Sequence, residues 1–195
     1  MGREFELKYA ATPDILAAIQ SQYHGFSPIS METTYFDTAE GDLSAKRITL
    51  RLRKENGTAV CTLKTPGDAH GRGEWEVLCG DIYKAIPLLV EAGCPKELEL
   101  LTAKGIAPVC GARFVRRAKM LDLADGKLEL ALDEGVLMGG SRELSLCEVE
   151  VEHKGGPEAA TEAFARELAS RYGLVPEEKS KFCRAMDLAR GEENG

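Results

Sequence analysis

The chain has 195 residues, 44% of them hydrophobic and 29% charged, which is the make-up of a folded globular protein and not of a disordered one. Its 32 acidic residues against 25 basic ones leave a net charge of −7, excluding the dominant basic field that sequence-independent nucleic-acid binding needs. No run approaches the ~20 apolar residues of a membrane helix, the N-terminus has no signal-peptide core, and six scattered cysteines form no C-x-x-C pair. A reduced, cytoplasmic protein without a structural zinc site is expected.

Taken in chain order, the dominant pattern is alternation with period 2, the mark of strands. Glu4-Phe5-Glu6-Leu7-Lys8 is the first such run, and Pro13 to Gln22 then reads as a helix with Thr12 as its cap. Glu32 to Thr38 is an extended candidate. Thr49-Leu50-Arg51-Leu52-Arg53 and Val60-Cys61-Thr62-Leu63-Lys64 are joined through Asn56-Gly57, a hairpin turn signal. Glu74-Trp75-Glu76-Val77 follows, with Trp75 expected under a helix. Asp81 to Ala92 is a helix interrupted at Pro87, and Pro95 to Lys104 continues it. A strand carrying Arg117 and Lys119 turns at Asp125-Gly126 into Leu128 to Asp133, and Leu146 to Glu152 brings the expected strands to eight. Pro157 to Tyr172 and Ser180 to Arg190 are the final helices; residues 191–195 form a tail. No linker or internal repeat divides the chain, so residues 1–190 read as one domain.

The charged faces of these strands admit two arrangements. An ordinary sandwich would place them in water. A closed antiparallel barrel would turn them inward, around a lumen wide enough for one small ligand, with the apolar faces covered by helices. Like charges two apart on one strand repel unless something of opposite sign lies between them. Carboxylates facing Arg and Lys across a lumen suit a complex of a hard divalent cation with a polyphosphate. Alternation alone does not choose between the two.

Glu4-Phe5-Glu6-Leu7-Lys8 resembles the E-x-E-x-K signature of the CYTH superfamily, the triphosphate tunnel metalloenzymes. Tyr35-Phe36-Asp37-Thr38, Leu50-Arg51-Leu52-Arg53, Thr62-Leu63-Lys64, Glu74-Trp75-Glu76, Leu132-Asp133-Glu134-Gly135, Glu148 to Glu152 and Ser180-Lys181 follow in that family's order. The resemblance implies an α+β fold: a closed eight-stranded antiparallel barrel with a polar interior and helices packed on the outside. It also implies Mg²⁺- or Mn²⁺-dependent work on a small-molecule triphosphate, most like that of bacterial inorganic triphosphatases. The C-terminal helical CHAD domain of larger bacterial members is not expected.

By the same resemblance Glu4, Glu6, Glu148, Glu150 and Glu152 are the expected metal ligands. Lys8, Arg51, Arg53, Lys64 and Arg117 are the expected phosphate clamp, with Lys119 and Lys181 as further substrate contacts. Glu74, Glu76, Glu129 and Asp133 are supporting acids that either approach the metal or orient the cations, Asp133 having the further option of organising a turn at Gly135. Arg116, of opposite parity to Arg117, is expected to face outward, and the three histidines, His24, His70 and His153, to lie at the surface. Class IV adenylate cyclase and thiamine triphosphatase are the alternative activities. A non-catalytic polyphosphate-binding module is a third reading.

Overall fold

The computed structural model describes residues 5–66 and 73–191, so Glu4 and His70 lie outside the described residues. Strands β1 (Glu6–Ala10), β2 (Ser27–Asp37), β3 (Thr49–Glu55), β4 (Thr58–Lys64) and β5 (Glu74–Leu78) are followed by β6 (Ala107–Asp122), β7 (Lys127–Gly139), β8 (Arg142–Gly155) and a two-residue β9 (Val175–Pro176). Helices α1 (Pro13–Gln22), α2 (Asp42–Ala45), α3 (Ile82–Glu91), α4 (Glu97–Thr102), α5 (Glu158–Tyr172) and α6 (Lys181–Arg190) are interspersed. Every strand pairing is antiparallel, in the order β5-β4-β3-β2-β6-β7-β8-β1-β9.

Local chemistry accounts for the punctuation. Thr12 and Ser180 each accept a backbone N–H of the following helix, and Pro13 occupies the first turn of α1, where no partner for its nitrogen is needed. Asn56 and Gly57 have positive φ, as a two-residue hairpin requires, and the Asn56 side chain also accepts from Ser30 N at 2.9 Å, tying the hairpin to β2. The Asp37 carboxylate accepts from the backbone nitrogens of Thr38, Leu43 and Ser44, folding the chain after β2 into α2. Pro87 does not interrupt α3 as expected. The carbonyl left without its donor belongs to Tyr83, and both residues sit on the exposed side of the helix.

The sheet curls into a barrel with its apolar side outward. Leu128, Leu130, Leu132, Val149 and Val151 pack under α1 and α5; Leu50, Cys61 and Leu63 pack under α3 and α4, where Trp75 also lies. Full burial of one such leucine stabilises by roughly 1.5–3 kcal/mol. Two features depart from expectation. The ladder is not joined between its end strands among the described residues, and the side of β1 away from β8 pairs at Tyr9 and Ala10 with β9. And α6 is not an outer helix: its Ala185 and Leu188 pack with Met31, Ala112, Phe114, Leu137 and Leu146, which share strand faces with the inward charges. A Cβ on Gly139 would come within 2.3 Å of Ala185 O, so the absent side chain lets α6 lie on the concave face. The first turn of the helix, with Lys181 and Phe182, lines the barrel interior.

Candidate active site

Inside the barrel is a cavity of about 320 Å³ whose wall draws on β1, β2, β3, β4, β5, β6, β8 and the first turn of α6. Glu6 and Lys8 line it from β1, next to one end of the sheet order, and Glu74 and Glu76 from β5 at the other end, so the curled sheet surrounds one space. Arg51, Arg53 and Lys64 point in while Leu50 and Leu63 are buried outside, as the inverted alternation requires.

Arg53 is 8% exposed. Its Nε donates to Thr33 Oγ1 at 3.0 Å and its Nη1 stands 3.9 Å from Glu55. Burial, helped by the neighbouring Arg51, pushes its pKa down to about 10, which leaves it charged at neutral pH. Arg51 Nη2 is 3.8 Å from both Glu74 and Glu76, and its buried Nε has no hydrogen-bond partner among the described residues. Lys64 Nζ is 3.2 Å from Glu74, while Glu76 accepts from Thr62 Oγ1 at 2.9 Å. Glu74 and Glu76 therefore stand beside these cations. Lys8 Nζ donates to Lys179 O at 3.4 Å, bringing the chain before α6 against β1.

Deeper in, Asp133 and Glu148 are fully buried, and with Glu150 they bring carboxylate oxygens within 4.8 Å of one another. Three cations meet them. Lys181 Nζ lies 2.6 Å from Glu150 and 2.9 Å from Asp133, and also contacts Glu148. Arg116 takes Asp133 through two hydrogen bonds of 2.8 and 2.7 Å and also contacts Glu150. Arg184 contacts Glu148 and reaches Glu177 at 3.4 Å.

The electrostatics follow from this balance. Burial works to raise the Glu150 pKa, but Lys181 and Arg116 outweigh it and hold the carboxyl well below its ordinary range. Burial wins at Glu148, whose pKa is raised although Lys181 opposes it. Burial lowers the pKa of Lys181 and of Arg116, yet the surrounding carboxylates raise both above their ordinary values.

Several expected positions move. Arg117 does not face the cavity: it lies opposite Leu132 in register, and its guanidinium pairs with Glu134 at 3.0 Å. Arg116, opposite Asp133, is the inward arginine. The parity was hidden because Phe114 and Ala112 face inward on the same strand, so the rule of apolar outside and charged inside fails locally. Lys119 is no cavity residue either. It donates to the carbonyls of Tyr23 and His24 at the C-terminal end of α1, where a cation also meets the helix dipole favourably. Asp133 sits in the deep network and organises no turn, since Gly135 lies within β7. Glu129 shares the inner parity but does not line the cavity. Glu152 does, with Lys154 2.7 Å away, and it faces Glu6 across the β1–β8 ladder. His153 is half-buried and hydrogen-bonded to Thr161, linking β8 to α5.

Arg184, Glu55, Lys154, Phe114 and Phe182 escaped the sequence reading. Only Arg184 carried a usable signal, since i and i+3 put it on the same helix face as Lys181.

The carboxylates supply the hard oxygen donors that Mg²⁺ or Mn²⁺ prefers. Within the deep triad, the Lys181 ammonium already lies among the three groups. Glu6 and Glu152, directly opposed on adjacent strands, and Glu150, two residues along β8 from Glu152, are lining donors on the β1–β8 side of the cavity.

A CYTH domain model matches residues 2–186. The chain belongs to the CYTH family. The chain is 27% identical over 165 residues to an inorganic triphosphatase of Haemophilus influenzae, an overlap taking in 80% of the chain and 46% of that protein. The chain thus spans about half the length of that relative. Among solved structures, it resembles a proposed adenylyl cyclase of Hippeastrum found to have a dominant triphosphatase activity, with a TM-score of 0.66, 21% identity and 97% of each chain covered. A Pyrococcus horikoshii protein superposes with a TM-score of 0.63 at 21% identity, covering 95% of this chain and 99% of its own. These likenesses show that the barrel is the CYTH fold.

Proposed function

We propose that the protein hydrolyses inorganic triphosphate to orthophosphate and diphosphate in a reaction that depends on a divalent metal. The observation that carries this reading is the enclosure of Lys8, Arg51, Arg53, Lys64 and Arg116 with opposed carboxylates in one cavity of about 320 Å³. Arg51, Arg53, Lys64 and Lys8 would bind phosphate oxygens and hold the chain extended. Their charge neutralises what accumulates on the leaving diphosphate as the bond to the terminal phosphorus breaks. Glu74 and Glu76 keep the Arg51 and Lys64 side chains directed into the cavity. Glu6, Glu150 and Glu152 would hold the metal. When bound, it supplies Lewis-acid polarisation of phosphate oxygens and a lowered pKa for water. Arg116 and Lys181 would keep Glu150 ionised and fixed as a ligand. The family relationship and the triphosphatase activity of the Haemophilus and Hippeastrum relatives support the reading.

A second reading, adenylate cyclase, draws on the aromatic edge of the cavity, where the Tyr35 and Phe182 rings lie 5.1 Å apart and could contact a base. A phosphate-release screen over tripolyphosphate, thiamine triphosphate and ATP, with Mg²⁺ or Mn²⁺ and with cyclic AMP assayed in parallel, tests both. Tripolyphosphate is expected to give the highest kcat/KM, and EDTA to abolish it. Faster ATP turnover yielding cyclic AMP would replace the hydrolase reading, and full activity in EDTA would remove the metal from it.

A further inference from the structure

Three cations of the site come from three different elements, Arg53 from β3, Arg116 from β6 and Lys181 from α6, yet all meet one ring. Arg53 Cζ is 5.8 Å, Arg116 Cζ 6.0 Å and Lys181 Nζ 5.5 Å from the centroid of Phe114. These distances fall at or inside the ~6 Å within which an aromatic face attracts a cation. Phe114 is 5% exposed and packs in the inner apolar cluster beneath α6. A dry ring of this kind strengthens the attraction, because water no longer competes for the charges.

We propose that Phe114 is a positioning residue of the active site, its ring being the shared surface that fixes the cationic ends of Arg53, Arg116 and Lys181. This inference rests on the triphosphatase reading above. Arg116 and Lys181 are also anchored by carboxylates at 2.9 Å or less. Arg53 is not: its anchors are the Thr33 hydroxyl at 3.0 Å and a carboxylate at 3.9 Å. Arg53 is therefore the cation that depends most on the ring, and it is also a member of the phosphate clamp. Its burial beside Arg51 and near Arg116 is electrostatically unfavourable. The negative face of the ring offsets part of that cost without neutralising the charge, as a carboxylate would, so the guanidinium stays available to an incoming phosphate.

The partner strand is built around this ring. Gly135 stands opposite Phe114 in the β6–β7 register. A Cβ there would lie 2.5 Å from Phe114 Cα, 2.7 Å from its Cβ and 2.2 Å from Arg113 O. The glycine of Asp133-Glu134-Gly135 thus permits the close strand approach at the level where the aromatic residue stands.

Exchanging the ring for an aliphatic group separates positioning from packing. Phe114→Leu keeps an apolar side chain but lacks a π face, and it is expected to lower kcat/KM for tripolyphosphate by ~10-fold, chiefly through KM. Phe114→Tyr, which keeps the face, should recover most of that loss. In an Arg53→Ala background the same leucine substitution should cost less than ~2-fold, because Arg116 and Lys181 keep their carboxylate anchors and the effect of the ring on substrate binding runs mainly through Arg53. Thermal melting confirms that each variant is folded; if Phe114→Leu is not, Phe114→Met takes its place in the same cycle. Wild-type kinetics in the aliphatic variant, or an equal loss with and without Arg53, would overturn the inference. A wild-type protein that does not turn over tripolyphosphate would overturn the triphosphatase reading first, before any variant is made.

Discussion

Lys181→Met removes the ammonium lying among three buried carboxylates while nearly preserving side-chain length. Arg116 and Arg184 would remain against Asp133, Glu148 and Glu150, leaving one uncompensated buried charge. Breaking a buried ion pair from one side costs about 3–5 kcal/mol. At about 2–4 °C per kcal/mol for a domain of this size, Tm should fall by roughly 6–20 °C. The group best able to relieve the charge is Glu148, whose pKa is already raised by burial. Adding Glu148→Gln to Lys181→Met should therefore recover a substantial part of the lost stability, whereas Glu148→Gln alone should destabilise. The assay is thermal and urea unfolding at neutral pH in EDTA, so that no added metal takes the place of the ammonium. A Lys181→Met protein as stable as the wild type, or one whose destabilisation is unchanged by Glu148→Gln, would refute the view that Lys181 is the counterion of the triad.

Arg53→Ala should lower kcat/KM for tripolyphosphate by about 30-fold or more, the scale of a lost charge-assisted contact in a dry site, while Arg117→Ala, outside the cavity, should change it by less than ~3-fold. Steady-state kinetics on the pair tests the inward assignment directly. Gly139→Val should drive α6 off the concave face, since even a Cβ would meet Ala185 O at 2.3 Å, and both Tm and activity should drop. KM for tripolyphosphate should rise as pH passes through about 10, where Arg53 loses its proton, and the ratio of Arg53→Ala to wild-type KM should shrink there. The sign for stability is opposite: the folded value lies below the ordinary 12.5, so the cost of burying the charge is present below about 10 and is relieved above it. Titrating KM from pH 7 to 11 in both proteins reads the effect.

The strands, the Asn56-Gly57 hairpin, the helix cap at Thr12, and the grouping of Arg51, Arg53, Lys64, Glu74, Glu148, Glu150 and Glu152 on the charged faces of their strands were legible in the chain, because a period of two assigns alternate residues to opposite faces wherever apolar and charged residues strictly alternate. That pattern is unchanged when the two faces are exchanged, so the residues alone left a solvated sandwich and a polar-lined barrel equally open. Only the curvature of the sheet, which brings Glu6 and Lys8 round to the same cavity as Glu74 and Glu76, decided between them. At Arg116-Arg117 the local signal is ambiguous, since two adjacent arginines satisfy either parity. The register against Asp133 settled it, together with an inward apolar floor at Ala112 and Phe114 that exists because α6 needs something to pack on. The position of α6 itself was beyond local reading. An amphipathic helix shows that one face is buried but not against which side of a sheet, and here the choice was made by Gly139 and by the three carboxylates awaiting Lys181 and Arg184, residues 31 to 51 positions away in the chain that only folding brings to the helix.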